Sequence, residues 1–94
     1  MIQLEKLENA SEMLKAIAHP MRIAIVEMLS DNKSLTVTEI HEALNIEQAV
    51  ASHHLSIMKN KGVLMSERNG KNSYYKLKHP RLSQIVSCID KCQQ

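Results

Sequence analysis

Gln48, Ser52, His53 and Ser56 are hydrogen-bonding side chains at helical spacing, and the chemistry they offer together is contact with nucleic-acid base edges. An amide pairs bidentately with adenine, a hydroxyl donates or accepts, and an imidazole reaches a base edge or a phosphate, so this face suits the major groove of double-stranded DNA. Ala49 falls on the same face. Ile46, Ala51, Leu55 and Met58 fall near another, which makes the segment an amphipathic helix. A solvated helix surface is the plainer reading of the polar face, and the neighbouring elements decide between the two.

Upstream, Thr36-Val37-Thr38-Glu39 has the form of a capping box and predicts a helix over Val37 to Leu44. Asn45 stops that helix or caps the next one, leaving about two residues of turn between them, the spacing of a helix-turn-helix. Downstream, Val63 to Arg68 and Asn72 to Leu77 read as strands around Asn69-Gly70, a strong hairpin signal. A turn that tight sets Arg68 opposite Lys71. Facing like charges are mildly destabilising, so with Asn69 and Asn72 beside them they point to an anionic partner, unless the long side chains splay apart in water.

The charge is uneven. The chain as a whole is +2, yet residues 61 to 94 hold seven basic and two acidic side chains. Lys61, Arg68, Lys71, Lys76, Lys78 and Arg81 place that excess on the hairpin and its flanks, as a nucleic-acid footprint would.

Three segments, Ala18-His19-Pro20-Met21-Arg22-Ile23, Glu47-Gln48-Ala49-Val50-Ala51-Ser52-His53-His54-Leu55 and Tyr74-Tyr75-Lys76-Leu77, resemble in order and spacing the ArsR/SmtB family of bacterial winged-helix repressors. The likeness covers roughly residues 10 to 80. It implies a mainly α fold with a small β-hairpin, a winged helix-turn-helix of about five helices plus a two-stranded wing. It further implies a homodimer that binds an operator palindrome and leaves it when a ligand arrives. The positions of Gln48, Ala49, Ser52 and His53 would then lie in the major groove and the hairpin tip on the minor groove or backbone. Ala49 stands where a Ser or other polar residue is usual in that family.

The resemblance also implies where metals would bind, and the residues there do not suit them. Thr36-Val37-Thr38 replaces a Cys-Val-Cys core, and hydroxyls are poor ligands for thiophilic ions. The positions matching a second site on the last helix are His79, Arg81 and Cys92, of which Arg cannot ligate. No metal and no cofactor is therefore expected, and the residues name no inducer. Cys88 and Cys92 are four apart on that helix, with both thiols on one face. Burial as small hydrophobes, in the core or an interface, is their plain reading. The sharper one is a redox or soft-metal switch assembled from four thiols across a two-fold axis.

The remaining histidines have structural readings. His19 and His79 each precede a proline and mark helix starts, His41 faces solvent, and His54 packs beside the apolar face.

With 44% apolar residues but no Phe or Trp, the core must be aliphatic and Met-rich. A single domain over residues 1–94 buries a modest share of its surface, so pairing of two protomers adds useful burial. Leu4, Leu7, Leu14 and Ile17 on a first helix, and Leu82, Ile85, Val86 and Ile89 on a last, supply candidate stripes for either the core or an isologous interface. The resemblance favours the interface, with terminal helices of about 2–17 and 80–92. No secretory signal or membrane span is read, so the expected location is cytoplasmic.

Catalysis is not expected. Two glycines exclude a Gly-rich phosphate loop, the thiols have no evident base beside them, and Glu5, Glu8 and Glu12 have helix-surface spacing. The competing class is a protein-interaction module, because Glu39, Glu42 and Glu47 flank the DNA face.

Overall fold

Helices begin and end where side chains or a left-handed residue replace missing backbone partners. A computed structural model of the chain describes residues 2–93; Met1 and Gln94, the outermost positions of the expected domain, lie outside the described residues. Helix α1 (Leu4–Ile17) ends at Ala18. His19 is extended, its Nδ1 accepts the Met21 N–H at 3.1 Å, and Pro20 opens α2 (Pro20–Met28), where its lack of an N–H costs nothing. Asp31 and Asn32, both at φ 59, then turn the chain into the short strand β1 (Leu35–Thr36).

The capping box forms as expected. Thr36 Oγ1 accepts the Glu39 N–H at 3.2 Å, the Thr36 N–H donates to Glu39 Oε1 at 3.0 Å, and α3 runs over Val37–Leu44. It ends on Asn45, left-handed at φ 54, with the Asn45 N–H on the Glu42 carbonyl and the Ile46 N–H on the His41 carbonyl. This is the Schellman pattern of helix termination. Helix α4 (Gln48–Asn60) ends the same way around Gly62 at φ 80: the Gly62 N–H donates to the Lys59 carbonyl and the Val63 N–H to that of Met58. Val63 and Met58, both buried, are the apolar contact that accompanies the motif.

Strands β2 (Leu64–Asn69) and β3 (Asn72–Leu77) form the wing. Its register corrects one expectation. Asn69 pairs with Asn72 and Arg68 with Ser73, so Arg68 and Lys71 do not face each other. The two-residue turn is Gly70-Lys71, with positive φ at Gly70 and not at Lys71, as in a type II′ turn. β1 adds a short third strand to β3 through Leu35↔Tyr75 and Thr36↔Tyr74, in the order β1-β3-β2. Two residues carry no readable alternation, so the wing is legible in the sequence as a hairpin alone.

Helix α5 spans Leu82–Cys92. It starts later than the proline suggested, because the N–H groups of Leu82, Ser83 and Gln84 each bond three residues back and make the 79–81 segment a tight turn. Among the described residues the fold is five helices and one three-stranded sheet, a winged helix-turn-helix, and no helix is long and apolar enough to cross a membrane. Ile25 and Val26 of α2 with Leu29 just past its end, Ile40 of α3, Leu55 and Met58 of α4, and Val63 and Leu64 at the wing base form the centre of the aliphatic core. Each such side chain contributes roughly 1.5–3 kcal/mol of apolar transfer.

The terminal helices divide their stripes. Val86 is 7% exposed within the protomer's own core, Leu82 packs against that core, and Ile17 belongs to it. The expectation that Val86 faces a partner is therefore corrected, since the protomer's own core takes it, while Leu82 is only part-buried; α5 packs against α2. Leu4, Leu7 and Leu14 of α1 and Ile85 and Ile89 of α5 are left exposed, Leu4 by as much as 70%.

Candidate nucleic-acid interface

The site is built on α4, whose burial is one-sided. Ala51, Leu55 and Met58 are inaccessible and His54 is nearly so, while Gln48, Ala49, Ser52, His53 and Ser56 are all exposed together with Lys59 and Asn60. The first turn projects beyond the core, since Gln48, Ala49 and Val50 are each exposed before Ala51 turns inward. Val50 was not read as a site residue. Its signal was available, because it falls outside the apolar stripe of its helix, and an exposed aliphatic side chain there offers contact to a thymine methyl.

The turn that presents α4 is tied at both ends. Beyond the Ile46 N–H bond to the His41 carbonyl, His41 Nδ1 lies 3.1 Å from the Ile46 carbonyl. A carbonyl only accepts, so Nδ1 carries the hydrogen. His41 is thus half-buried and clamps the helix-turn-helix, correcting its reading as a solvent-facing residue.

His54 matches its packing assignment. Its Nδ1 accepts the Arg22 Nε–H at 3.0 Å, and its ring lies 4.8 Å from that of His19. Burial, followed by the positive charge of Arg22 and the neighbouring His19 and His53, holds its imidazole below the ordinary histidine pKa.

The basic surface is smaller than the sequence suggested. Lys61 pairs with Glu12 at 3.1 Å, and Lys76 with Glu67 at 3.1 Å diagonally across the wing. The Lys61 hydrogen bond and charge, with Lys15 adding to them, hold the Glu12 carboxyl below its usual range. Arg68, Lys71, Lys78 and Arg81 are exposed and form no ion pair among the described residues. Asn69 and Asn72 are exposed at the wing tip, and Arg68 Nε reaches toward the Gly70 carbonyl at 3.5 Å. The tip therefore presents Arg68 and Lys71 in succession, with two amides between the strands, to any polyanion alongside.

Cys88 and Cys92 are both exposed on the protomer, so of the core or interface in which their plain reading buries them, the protomer's own core is excluded. They line a shallow groove on α5 with Gln84, Ser87 and Lys91. Among the described residues no three His, Cys, Asp or Glu side chains stand close enough to hold a metal ion.

Residues 19–66 match the family described as bacterial regulatory protein, arsR family. The chain is 38% identical over 92 residues to the transcriptional repressor PagR of Bacillus anthracis, covering 98% of this chain and 92% of that protein. The crystal structure of that repressor superposes with a TM-score of 0.83 over 93% of this chain and 99% of the other. The chain is 42% identical over 82 residues to the transcriptional repressor SmtB of Mycobacterium tuberculosis, covering 87% of this chain and 60% of that protein. A solution structure of the homodimeric winged helix-turn-helix DNA-binding domain Mb0332 of Mycobacterium bovis, 21% identical, shares the fold with a TM-score of 0.81 over 95% of this chain and 82% of that one.

Proposed function

The chain belongs to the arsR family of bacterial regulatory proteins, a family of DNA-binding transcriptional regulators and not of enzymes, and from that premise we propose that it works in the cytoplasm as a homodimeric repressor on a palindromic operator. The observation that carries this reading is the exposed polar face of α4, presented by a clamped turn and backed by a fully buried apolar face. Gln48, Ser52 and His53 read base edges in the major groove, with Ala49 on the same face. Ser56 and Lys59 meet the backbone, and Arg68, Asn69, Lys71 and Asn72 hold the wing on phosphates. The whole chain acts as one unit. Its dimer interface is the pair of apolar faces left open on the terminal helices, Leu4, Leu7 and Leu14 with Ile85 and Ile89.

Fluorescence anisotropy with DNA from upstream of the protein's own gene, over a salt series and against unrelated competitor duplex, tests the proposal. Competitor-resistant binding with a steep salt slope is expected. Equal, weak binding to both duplexes would return the fold to the class of protein-interaction modules.

A further inference from the structure

One side chain joins three elements. Arg22, half-buried at the start of α2, donates through Nε to His54 Nδ1 on α4 at 3.0 Å and through Nη1 to the Ala16 carbonyl near the end of α1 at 3.3 Å. The Arg22–His54 bond joins side chains 32 residues apart in sequence. It fixes the DNA-facing helix against the helix whose outer face carries Leu4, Leu7 and Leu14. In a two-fold dimer, the angle between those two helices sets how far apart the two copies of α4 stand.

We infer that Arg22 and His54 are positioning residues for DNA binding, and that the link between them holds only while His54 is unprotonated. The inference rests on the regulator reading above. A guanidinium has donors and no acceptor, so Nδ1 of His54 must be a bare nitrogen and the proton must sit on Nε2. Adding a proton to Nδ1 turns that acceptor into a second donor facing Arg22, and it places two cations at hydrogen-bond distance.

The groups around the ring do not offset this. The charged and titratable groups acting on His54 are Arg22 of α2, His19 at the α2 N-cap, and His53 on its own helix, and no carboxylate is among them. From α1 the Ala16 carbonyl accepts from the Arg22 guanidinium. His19 accepts at its own Nδ1 from the Met21 N–H, and its ring lies 4.8 Å from that of His54. Burial, then the positive charge of Arg22 and the neighbouring His19 and His53, hold His54 below the ordinary histidine pKa, so the link is complete above about pH 6.5 and is lost as pH falls through the lower, folded-state value.

The test compares operator affinity of the wild type and His54→Asn at about pH 8 and about pH 5, at fixed ionic strength, with circular dichroism on the same samples. Asn Oδ1 stands close to where Nδ1 stood and accepts without titrating. The wild type should lose affinity on acidification while its helical signal is kept, and His54→Asn should lose less, by up to about tenfold for each pH unit below the His54 pKa. Exposed His53 is present in both proteins, so its contribution is common to the comparison. Equal pH ratios in the two proteins, with specific binding intact, would overturn the inference and leave the regulator reading standing. Absence of specific binding at either pH would overturn both. Loss of helical signal in step with affinity would also overturn the positioning role. If His54→Asn does not fold, nitrogen-15 spectra of the wild-type imidazoles decide instead: the His54 titration midpoint must coincide with the midpoint of the affinity loss, and separation of the two overturns the link.

Discussion

His53 and His54 are neighbours in the chain with opposite surroundings, one exposed on the outer face of α4 and the other 7% exposed against Arg22. A step of one residue turns a helical side chain by about 100°, so the stripe Ala51-Leu55-Met58 already assigns both histidines. At this scale, Gln48→Ala should alter discrimination at one operator position by roughly 1–3 kcal/mol, measured by competition among duplexes that differ at single base pairs. Lys71→Ala should weaken binding to all duplexes alike and lower the salt slope by about one, because it removes a phosphate contact and no base contact. The polar face of α4 was legible because a periodic apolar stripe dictates its complement. Three residue-level features were not. Lys61 meets Glu12 from a distant helix, Lys76 meets Glu67 only once the strand register is set, and His41 finds its partner only after the chain has turned at Asn45.

At the scale of elements, the boundaries follow from a few residues with definite duties. Thr36→Ala removes the oxygen that accepts the Glu39 N–H and should cost about 1 kcal/mol by urea denaturation. Gly62→Ala should cost about 1–2 kcal/mol in the same assay. A Cβ there meets nothing within 4 Å, so the loss would come from holding φ 80 and not from a clash. These devices were readable because caps and left-handed glycines are local. The hairpin's existence was equally readable, but its register was not: Asn69-Gly70 permits a turn centred on either pair, and the structure puts positive φ on Gly70 alone, moving Arg68 opposite Ser73. The start of α5 was misplaced for a similar reason, since Pro80 sits in the tight turn ahead of the helix.

At the scale of the molecule, a protomer of 44 × 33 × 22 Å closes a small aliphatic core and still leaves Leu4, Leu7, Leu14, Ile85 and Ile89 in water. Sequence periodicity gave both terminal stripes without dividing them; packing of α5 on α2 takes Val86 and leaves its neighbour Ile85 outside. If those open faces pair, the thermal midpoint should rise with protein concentration, and Leu7→Glu should abolish that dependence and yield a monomer by sedimentation. If two protomers pair about a two-fold axis, the two copies of α4 should enter successive major grooves about one helical turn, roughly 34–36 Å, apart on one face of the duplex. Chemical interference footprinting of the wild-type protein on its operator tests this most directly. Two major-groove segments related by a two-fold axis and centred about 10 base pairs apart are expected, and each should lose its interference at one position in Gln48→Ala. A single unsymmetric segment, or interference confined to the minor groove, would contradict the placement of α4.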